Sequence, residues 1–417
     1  MPGCSRREFL EMVSTGAAVA ALAAPSQLHA ERKPKERGIS RSILKRINGR
    51  TFPSVFQAWN RADNLRGEDE LTTVARHDLL FHGVGFFGLR WDHRYAGLAR
   101  KFRKETIPLA LARRKKLLDK NPNMIVLAEI RYRDASARWF PPGHKWWRRG
   151  KDQKVMPGWS EGGHLQMDFS DATYRGHVAV RAAAAVTTGV VDGVMLDWWR
   201  DDDDRLALVK LVRAAIGPEA LILVNPNDRT TPGTAEFING YFMECCVSRT
   251  PEQWTKIART LAWAEKNLRK PRINCLETWY HKSRDDLNLM RAATTLSLTH
   301  SDGYCLFSDP NPLPSGDHLH NWYAFWNKSL GKPTGPGRTG RDGSTRREFD
   351  KGTVIYNPMG NKTVTATFSK NRTSLSSLTT ARNHKINSCD GDILLLKAPR
   401  AAGQTPPVRT ARSIGST

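Results

Sequence analysis

The chain has 417 residues, 39% of them hydrophobic and 25% charged, with 13 Trp. It is too long for one small module and too apolar for a disordered or fibrous chain, although one α/β barrel of about 250 residues would absorb most of it. Lys and Arg total 65 against 41 Asp and Glu, a net charge of +24, which favours anionic partners through a salt-sensitive field.

Residues 1–30 predict an export leader. Ser5-Arg6-Arg7-Glu8-Phe9-Leu10 resembles the twin-arginine motif, a weakly apolar run follows at 12–24, and Leu28-His29-Ala30 offers a small residue for cleavage. Glu11 departs from the pattern, since such signals often carry Lys there. The expected location is periplasmic or secreted. Outside this leader no stretch reaches the roughly 20 apolar residues of a membrane span. Removing 1–30 takes away two Arg and two Glu and leaves the charge at +24. For an exported protein, acidic polysaccharide or an anionic surface polymer is more accessible than nucleic acid, for which the chain has no recognised motif. Cys245, Cys246, Cys275, Cys305 and Cys389 remain, with no C-x-x-C pair and no zinc spacing. A bridge between Cys246 and Cys275 requires their strands to be neighbours.

A basic lead-in covers 31–50. Beyond it, strand-like runs fall at 54–59, 85–91, 124–131, 191–198, 220–225, 240–247, 272–279 and 303–307. Each is short, apolar and uncharged until its C-terminal end, as in parallel strands buried on both faces. Helical patterns lie between them at 96–120, 174–188, 204–216, 251–268, 283–300 and 318–329. Thr250-Pro251-Glu252 opens one of these with a capping residue and a first-turn proline. The alternation predicts an α/β fold, a (β/α)8 TIM barrel over 51–330. An open doubly wound sheet is the rival, but no G-x-G-x-x-G follows a strand.

The segment 132–169 contains Trp139, Phe140, Trp146, Trp147, Arg148, Arg149 and Trp159. So many aromatics predict an ordered loop over the barrel mouth. Residues 331–347, rich in Gly, Pro and Arg, predict a linker, and 348–397 a small C-terminal antiparallel β module that needs the barrel as packing partner. The expected tail, 398–417, is disordered.

Barrels of this kind carry their chemistry at the C-terminal ends of the strands. Asp197 closes the fourth expected strand and Glu244 lies near the end of the sixth. Glu277 falls on the seventh and Glu129 on the third. A carboxylate in an apolar strand costs several kcal/mol unless it is paired or solvated, so each needs an ion pair, with Arg90 or Arg131 available, or a function. Glycoside hydrolysis uses such a pair, one acid protonating the leaving oxygen and one carboxylate attacking or activating water. Trp59, Trp91, Trp198, Trp199 and Trp279 sit at or just past strand ends, where ring faces pack against sugars or simply fill the core. Gln57, Asn60, Arg90, Asp92, His93, Asn225 and Asn227 are candidates for binding hydroxyls. The acidic run 201–204 reads as a solvated helix N-terminus rather than a calcium loop. His318-x-His320 is displaced from the first-strand position where barrel metallohydrolases hold such a pair, so no metal is expected.

Three segments carry a family resemblance: Asp192-Gly193-Val194-Met195-Leu196-Asp197, Tyr241-Phe242-Met243-Glu244, and Gly352-Thr353-Val354-Ile355-Tyr356-Asn357-Pro358. On these, about residues 50–330 resemble the putative glycosidases with a (β/α)8 barrel, and specifically the hypothetical glycosyl hydrolase family 15. The resemblance implies hydrolysis of O-glycosidic bonds in an oligosaccharide or polysaccharide, without a metal or redox cofactor. It implies Asp197 as nucleophile or base and Glu244 as acid, with Glu277 as a substitute. The rival from another class is a non-catalytic carbohydrate-binding barrel that kept the fold and lost the chemistry.

Overall fold

Seven of the eight short apolar runs become staves of a barrel. The structure, a computed structural model, describes residues 40–396 apart from 161, 247, 280–283, 309–317 and 328–329. The expected leader 1–30 and tail 398–417 lie outside the described residues. Eight parallel strands follow one another in chain order: β1 Phe56–Ala58, β2 Leu79–Gly83, β3 Ile125–Glu129, β4 Gly193–Leu196, β5 Leu221–Val224, β6 Gly240–Cys245, β7 Cys275–Trp279 and β8 Tyr304–Ser308. The ring closes where Val55 bridges Cys305 in parallel and the Cys305 N–H donates to the Ser54 carbonyl at 2.9 Å. The TIM barrel is therefore the fold. Gly193 is required by close approach, since a Cβ there would lie 2.1 Å from the Leu221 carbonyl oxygen.

Helices α1 Arg41–Gly49, α2 Glu70–Ala75, α3 Thr106–Lys120, α4 Ala172–Thr187, α5 Asp203–Ile216, α6 Pro251–Asn267 and α7 Leu287–His300 accompany the strands. Asp171 caps α4, Asp202 caps α5, and Thr250 with Gln253 forms a full capping box on α6. The acidic run 201–204 is thus a helix start, as its charges suggested.

Inside the barrel, Phe56, Phe81 and Phe242 meet with ring centroids 4.9–6.1 Å apart. These three rings, from β1, β2 and β6, plug the interior below the C-terminal mouth.

Several boundaries differ from the sequence expectation. The second strand is Leu79–Gly83 and not 85–91, because Leu79, Leu80 and Phe81 are the run that buries completely. Val84–Phe87 is a 3-10 turn, and Trp91 leaves the barrel to stack on Phe102 at 4.0 Å beneath the Arg181 guanidinium. The lead-in contains α1, and the 96–120 pattern holds a 3-10 turn at Ala96–Leu98 and is α-helical only from Thr106. In place of a last helix at 318–329 the described residues hold one 3-10 turn, Ala324–Trp326. The five cysteines among the described residues are free thiols, including Cys246 and Cys275.

The expected linker holds strand β9 Arg338–Thr339 and the start of β10 Thr345–Phe349. With β11 Gly352–Asn357, β12 Val364–Ser374, β13 Thr380–Ile386 and β14 Asp390–Leu395 they form one antiparallel sheet in the order β9-β10-β11-β14-β12-β13. It packs on α7, whose Ala292, Ala293, Thr294, Thr295 and Ser297 are all buried and small enough to let sheet and barrel approach from both sides. Arg291 on α7 donates twice to Asp390, at 2.8 Å each.

At the opposite end from the mouth, Asp192 ties the barrel floor together. It pairs with Arg46 of α1 at 2.5 Å and Arg114 of α3 at 2.7 Å, and accepts the Val126 N–H at 2.9 Å. Burial raises its proton affinity, but the two guanidiniums overcome this and hold the carboxyl below its usual range. Asp192→Asn leaves two buried cations underpaired, and we expect a loss of about 3–5 kcal/mol in urea or thermal unfolding at neutral pH. Because the folded carboxyl binds its proton less tightly than the unfolded one, this stabilisation is complete above about pH 4 and fades as pH falls further. A deficit that stays constant down to pH 2 would refute the account.

Candidate active site

The mouth above the aromatic plug is set by strand periodicity. Alternate residues share a face, so on β6 the residue two beyond Phe242, Glu244, also faces the interior, one layer nearer the mouth. Glu277 of β7 pairs in register with Glu244. Asp197 follows β4, Asn225 follows β5, and Glu129 ends β3.

Asn225 joins the two principal acids. Its Nδ2 donates to Asp197 Oδ1 at 2.7 Å and to Glu244 Oε2 at 2.8 Å. Two oxygens sharing one nitrogen at these distances lie within about 5.5 Å of each other, close enough for both acids to meet one glycosidic bond. Asn227 fixes the bridge, donating its N–H to Asn225 Oδ1 at 3.0 Å and its Nδ2 to the Glu244 carbonyl at 2.8 Å.

The two acids are driven apart in proton affinity. Burial pushes Glu244 up to about 8; His318 opposes this, while the charges of Asp197 and Glu277 add to it. Burial raises Asp197 to about 6, helped by Glu129 and opposed by Asn225 and Arg131. Both side chains are only partly covered, Glu244 retaining 19% exposure, so they reach the mouth. At neutral pH one is mainly an acid and the other mainly a carboxylate, and the two titrate as a pair.

The other carboxylates are occupied. Glu129 accepts from Trp59 Nε1 at 3.0 Å and pairs with Arg131 at 3.1 Å. Glu277 is fully buried; His318 Nδ1 meets its oxygens at 2.9 and 3.0 Å, and the Ser308 hydroxyl donates to it. Sealed in this way, Glu277 cannot meet a substrate or stand in for Glu244.

Four residues in segments that follow strands occupy the left-handed region: Trp59 after β1 (φ 49°), Trp198 after β4 (56°), Asn227 after β5 (56°) and His318, ten residues beyond β8 (57°). Such conformations cost about 1–3 kcal/mol each in non-glycine residues and gather at functional sites. Trp198 is held by its carbonyl, which accepts from Tyr132 Oη at 2.8 Å and Arg205 Nε at 3.0 Å. Its ring is 44% exposed, with the Arg133 guanidinium 4.1 Å from its centroid.

Not every expected site residue joins this group. Trp59 does, its ring 4.9 Å from His318, and Asn60 follows it half-buried. Trp199 does not, being buried with its Nε1 donating to Thr234 at 3.2 Å. Gln57 is buried and donates to the Trp59 carbonyl at 3.0 Å. Arg90, Asp92 and His93 lie exposed on the loop beyond the true β2 and bond locally, Asp92 with Lys101 at 3.3 Å and His93 with Tyr95 at 3.0 Å. The backbone of Trp279 ends β7, and its side chain lies outside the described residues. Sequence reasoning missed His318 as a site residue, and with it Tyr132, Arg133 and Ser308. The H-x-H spacing was the one signal for His318. It misleads, because His320 turns away to meet His77 at 2.9 Å.

The described residues of 132–169 form a packed loop. Asp134–Ser136 and His164–Gln166 form an antiparallel hairpin on buried Phe140, Trp146 and Trp147. Its root enters the site, since Asp134 pairs with Arg131 at 2.8 Å and Arg133 at 3.0 Å. Arg148 and Arg149 are exposed on it.

No family model and no curated protein matches the chain. Among solved structures it is similar to a maltogenic alpha-amylase from Thermotoga neapolitana at 11% identity and a TM-score of 0.51, covering 82% of this chain and 99% of that one. It is also similar to an alpha-amylase from Malbranchea cinnamomea (8% identity, TM-score 0.49, 85% and 97% covered) and to the glycoside hydrolase domain of PelA from Pseudomonas aeruginosa (11%, 0.41, 64% and 99%). At such identity the first likeness carries the fold, a barrel followed by a β module, and the other two carry no argument.

The raised proton affinity of Glu244 has a cost that can be measured. An unfolded Glu releases its proton near about pH 4.3, while the folded one holds it to about 8. Folding stability is therefore lost as pH rises through this interval. Glu244→Gln removes the penalty, so its melting temperature should match the parent near about pH 4.5 and exceed it increasingly towards about pH 8.5. A difference that does not change with pH would contradict the assigned protonation.

Proposed function

We propose that the protein is a glycoside hydrolase that cleaves O-glycosidic bonds of a polysaccharide with retention, using Asp197 as nucleophile and Glu244 as acid and base. The observation that carries this reading is the Asn225 amide spanning both carboxylates while burial separates their proton affinities. The resemblance of the three quoted segments to hypothetical glycosyl hydrolase family 15 supports it, as does the barrel fold.

In the first step Glu244 gives its proton to the leaving glycosidic oxygen, and a carboxylate oxygen of Asp197 bonds to the anomeric carbon as that C–O bond breaks. In the second, the Glu244 carboxylate takes a proton from water. The resulting hydroxide oxygen bonds to the anomeric carbon and releases Asp197. No metal or cofactor enters either step. Trp198 offers its exposed ring to a sugar beside Asp197.

The same reading makes the protein an exported one acting on an acidic glycan. The leader-like segment 1–30 and the net charge of +24 support this. So does the 132–169 segment, which exposes Arg138, Lys145, Arg148, Arg149, Lys151 and Lys154 and whose root at Asp134 reaches the site. Among the described residues no helix is long and apolar enough to cross a membrane.

Screening purified protein against charged and neutral glycans tests the reading. On the responsive substrate, activity should follow a bell with limbs near 6 and 8 belonging to the pair. Asp197→Asn and Glu244→Gln should each lose about 10²–10⁴-fold or more in kcat while still binding. Glu244→Gln should lose least on aryl glycosides whose leaving group needs no proton. Binding that persists in both variants without turnover in the parent would point to a non-catalytic carbohydrate-binding barrel. For an acidic glycan, added salt should raise KM; KM indifferent to salt would exclude the acidic substrate.

A further inference from the structure

Glu244 presents its two oxygens to different partners. Oε2 accepts from Asn225, which leaves Oε1 as the oxygen that carries the transferable proton. Oε1 faces His318 Nε2 at 3.8 Å. That is beyond a hydrogen bond but within reach of a rotamer adjustment of about 1 Å. The imidazole is only 2% exposed and is wedged between the rings of Trp59 (4.9 Å) and Phe242 (5.7 Å). Its other nitrogen, Nδ1, meets both oxygens of Glu277, which places a hydrogen on Nδ1 and turns Nε2 toward the acid. Ser308 fixes Glu277 in turn. A histidine in the left-handed region, oriented by a sealed carboxylate and aimed at a second carboxyl, is an arrangement that core packing alone does not require.

We propose that His318, oriented by Glu277, is a positioning residue that sets the protonation of Glu244. The inference rests on reading Glu244 as the acid. When Glu244 has given up its proton to the leaving oxygen, its new negative charge faces Nε2, and an imidazolium there, balanced by Glu277, stabilises it. His318 adds no proton to the reaction, because the one lost by Glu244 returns from the attacking water. Among the described residues, the groups facing Glu244 are Asp197 after β4, the neutral Asn225 after β5, Glu277 of β7 and His318 after β8. Of these, His318 favours the ionised form by charge. Asp197 and Glu277 oppose it. The field at the acid is thus a balance that one side chain can tip.

Carboxyl 13C NMR of Glu-labelled protein, with Glu244 assigned through Glu244→Gln, follows this group without substrate. In the unmodified protein the 15N signal of His318 Nε2 should move with the same midpoint as the Glu244 carboxyl. In His318→Gln that midpoint should rise by about one unit. The alkaline limb of turnover should move up equally, with the acid limb in place, whereas a purely structural role would lower turnover at every pH. A flat Nε2 signal through the Glu244 titration, or an unmoved midpoint in His318→Gln, overturns the proposal. If His318→Gln fails to fold, the paired signals of the unmodified protein decide alone. Coupled titration without turnover on any glycan supports the coupling and strikes only the glycosidase reading.

Discussion

One side-chain amide holds the mouth of this barrel together. Asn225 places a single nitrogen between two carboxyl groups, and its neutrality is what makes the arrangement useful. A Lys or Arg at that point would pull both acids down into the ionised state. An apolar residue would leave two desolvated carboxyls with nothing to space them. The amide orientation is determined, since Asn225 Oδ1 already accepts the Asn227 N–H and only the NH2 end can face the acids. β5, with all four residues buried, fixes the backbone from which this amide projects.

Two aspartates five residues apart show how the barrel divides its labour. Asp192 precedes β4 and Asp197 follows it, so the strand separates them along the barrel axis. Two guanidiniums and a backbone N–H satisfy Asp192 and hold its proton affinity down. Asp197 has an amide, the Trp198 N–H and a more distant Arg131, and burial wins. The residue type is the same; the supply of cations differs. The floor is built for stability, and the mouth keeps perturbed acids at a cost in stability. The four left-handed residues belong to the same economy of strain, with the Phe56–Phe81–Phe242 plug giving them a rigid base.

Much of this was legible in the sequence because parallel strands announce themselves. The run ending in Asp197 and the run containing Glu244 are apolar enough to be buried on both faces, so their acids had to be exceptional. The second strand was misplaced because two apolar runs compete near residue 85, and composition does not say which one finds a neighbouring strand on each side. Trp198 and Trp199 look equivalent in sequence. Only the left-handed turn at Trp198, braced by Tyr132 and Arg205, exposes one ring and buries the other. His318 was illegible as a partner of Glu277 because 41 residues separate them and the contact depends on a backbone turn that leaves no compositional trace.

Four acids crowd the mouth of a protein that is otherwise strongly basic, a local charge that opposes the anionic glycan of the proposed reading. The pairings remove most of that conflict. Glu129 is matched by Arg131, Glu277 is engaged by His318 and Ser308, and Glu244 keeps its proton at neutral pH. Asp197 is left as the main uncompensated charge, the one that its proposed role as nucleophile requires. The surrounding cations on the 132–169 hairpin, screened over about 8 Å at physiological salt, can then draw a polyanion in without meeting a fourfold negative barrier. Local neutralisation and long-range attraction are therefore compatible, provided the acid stays protonated until the bond breaks.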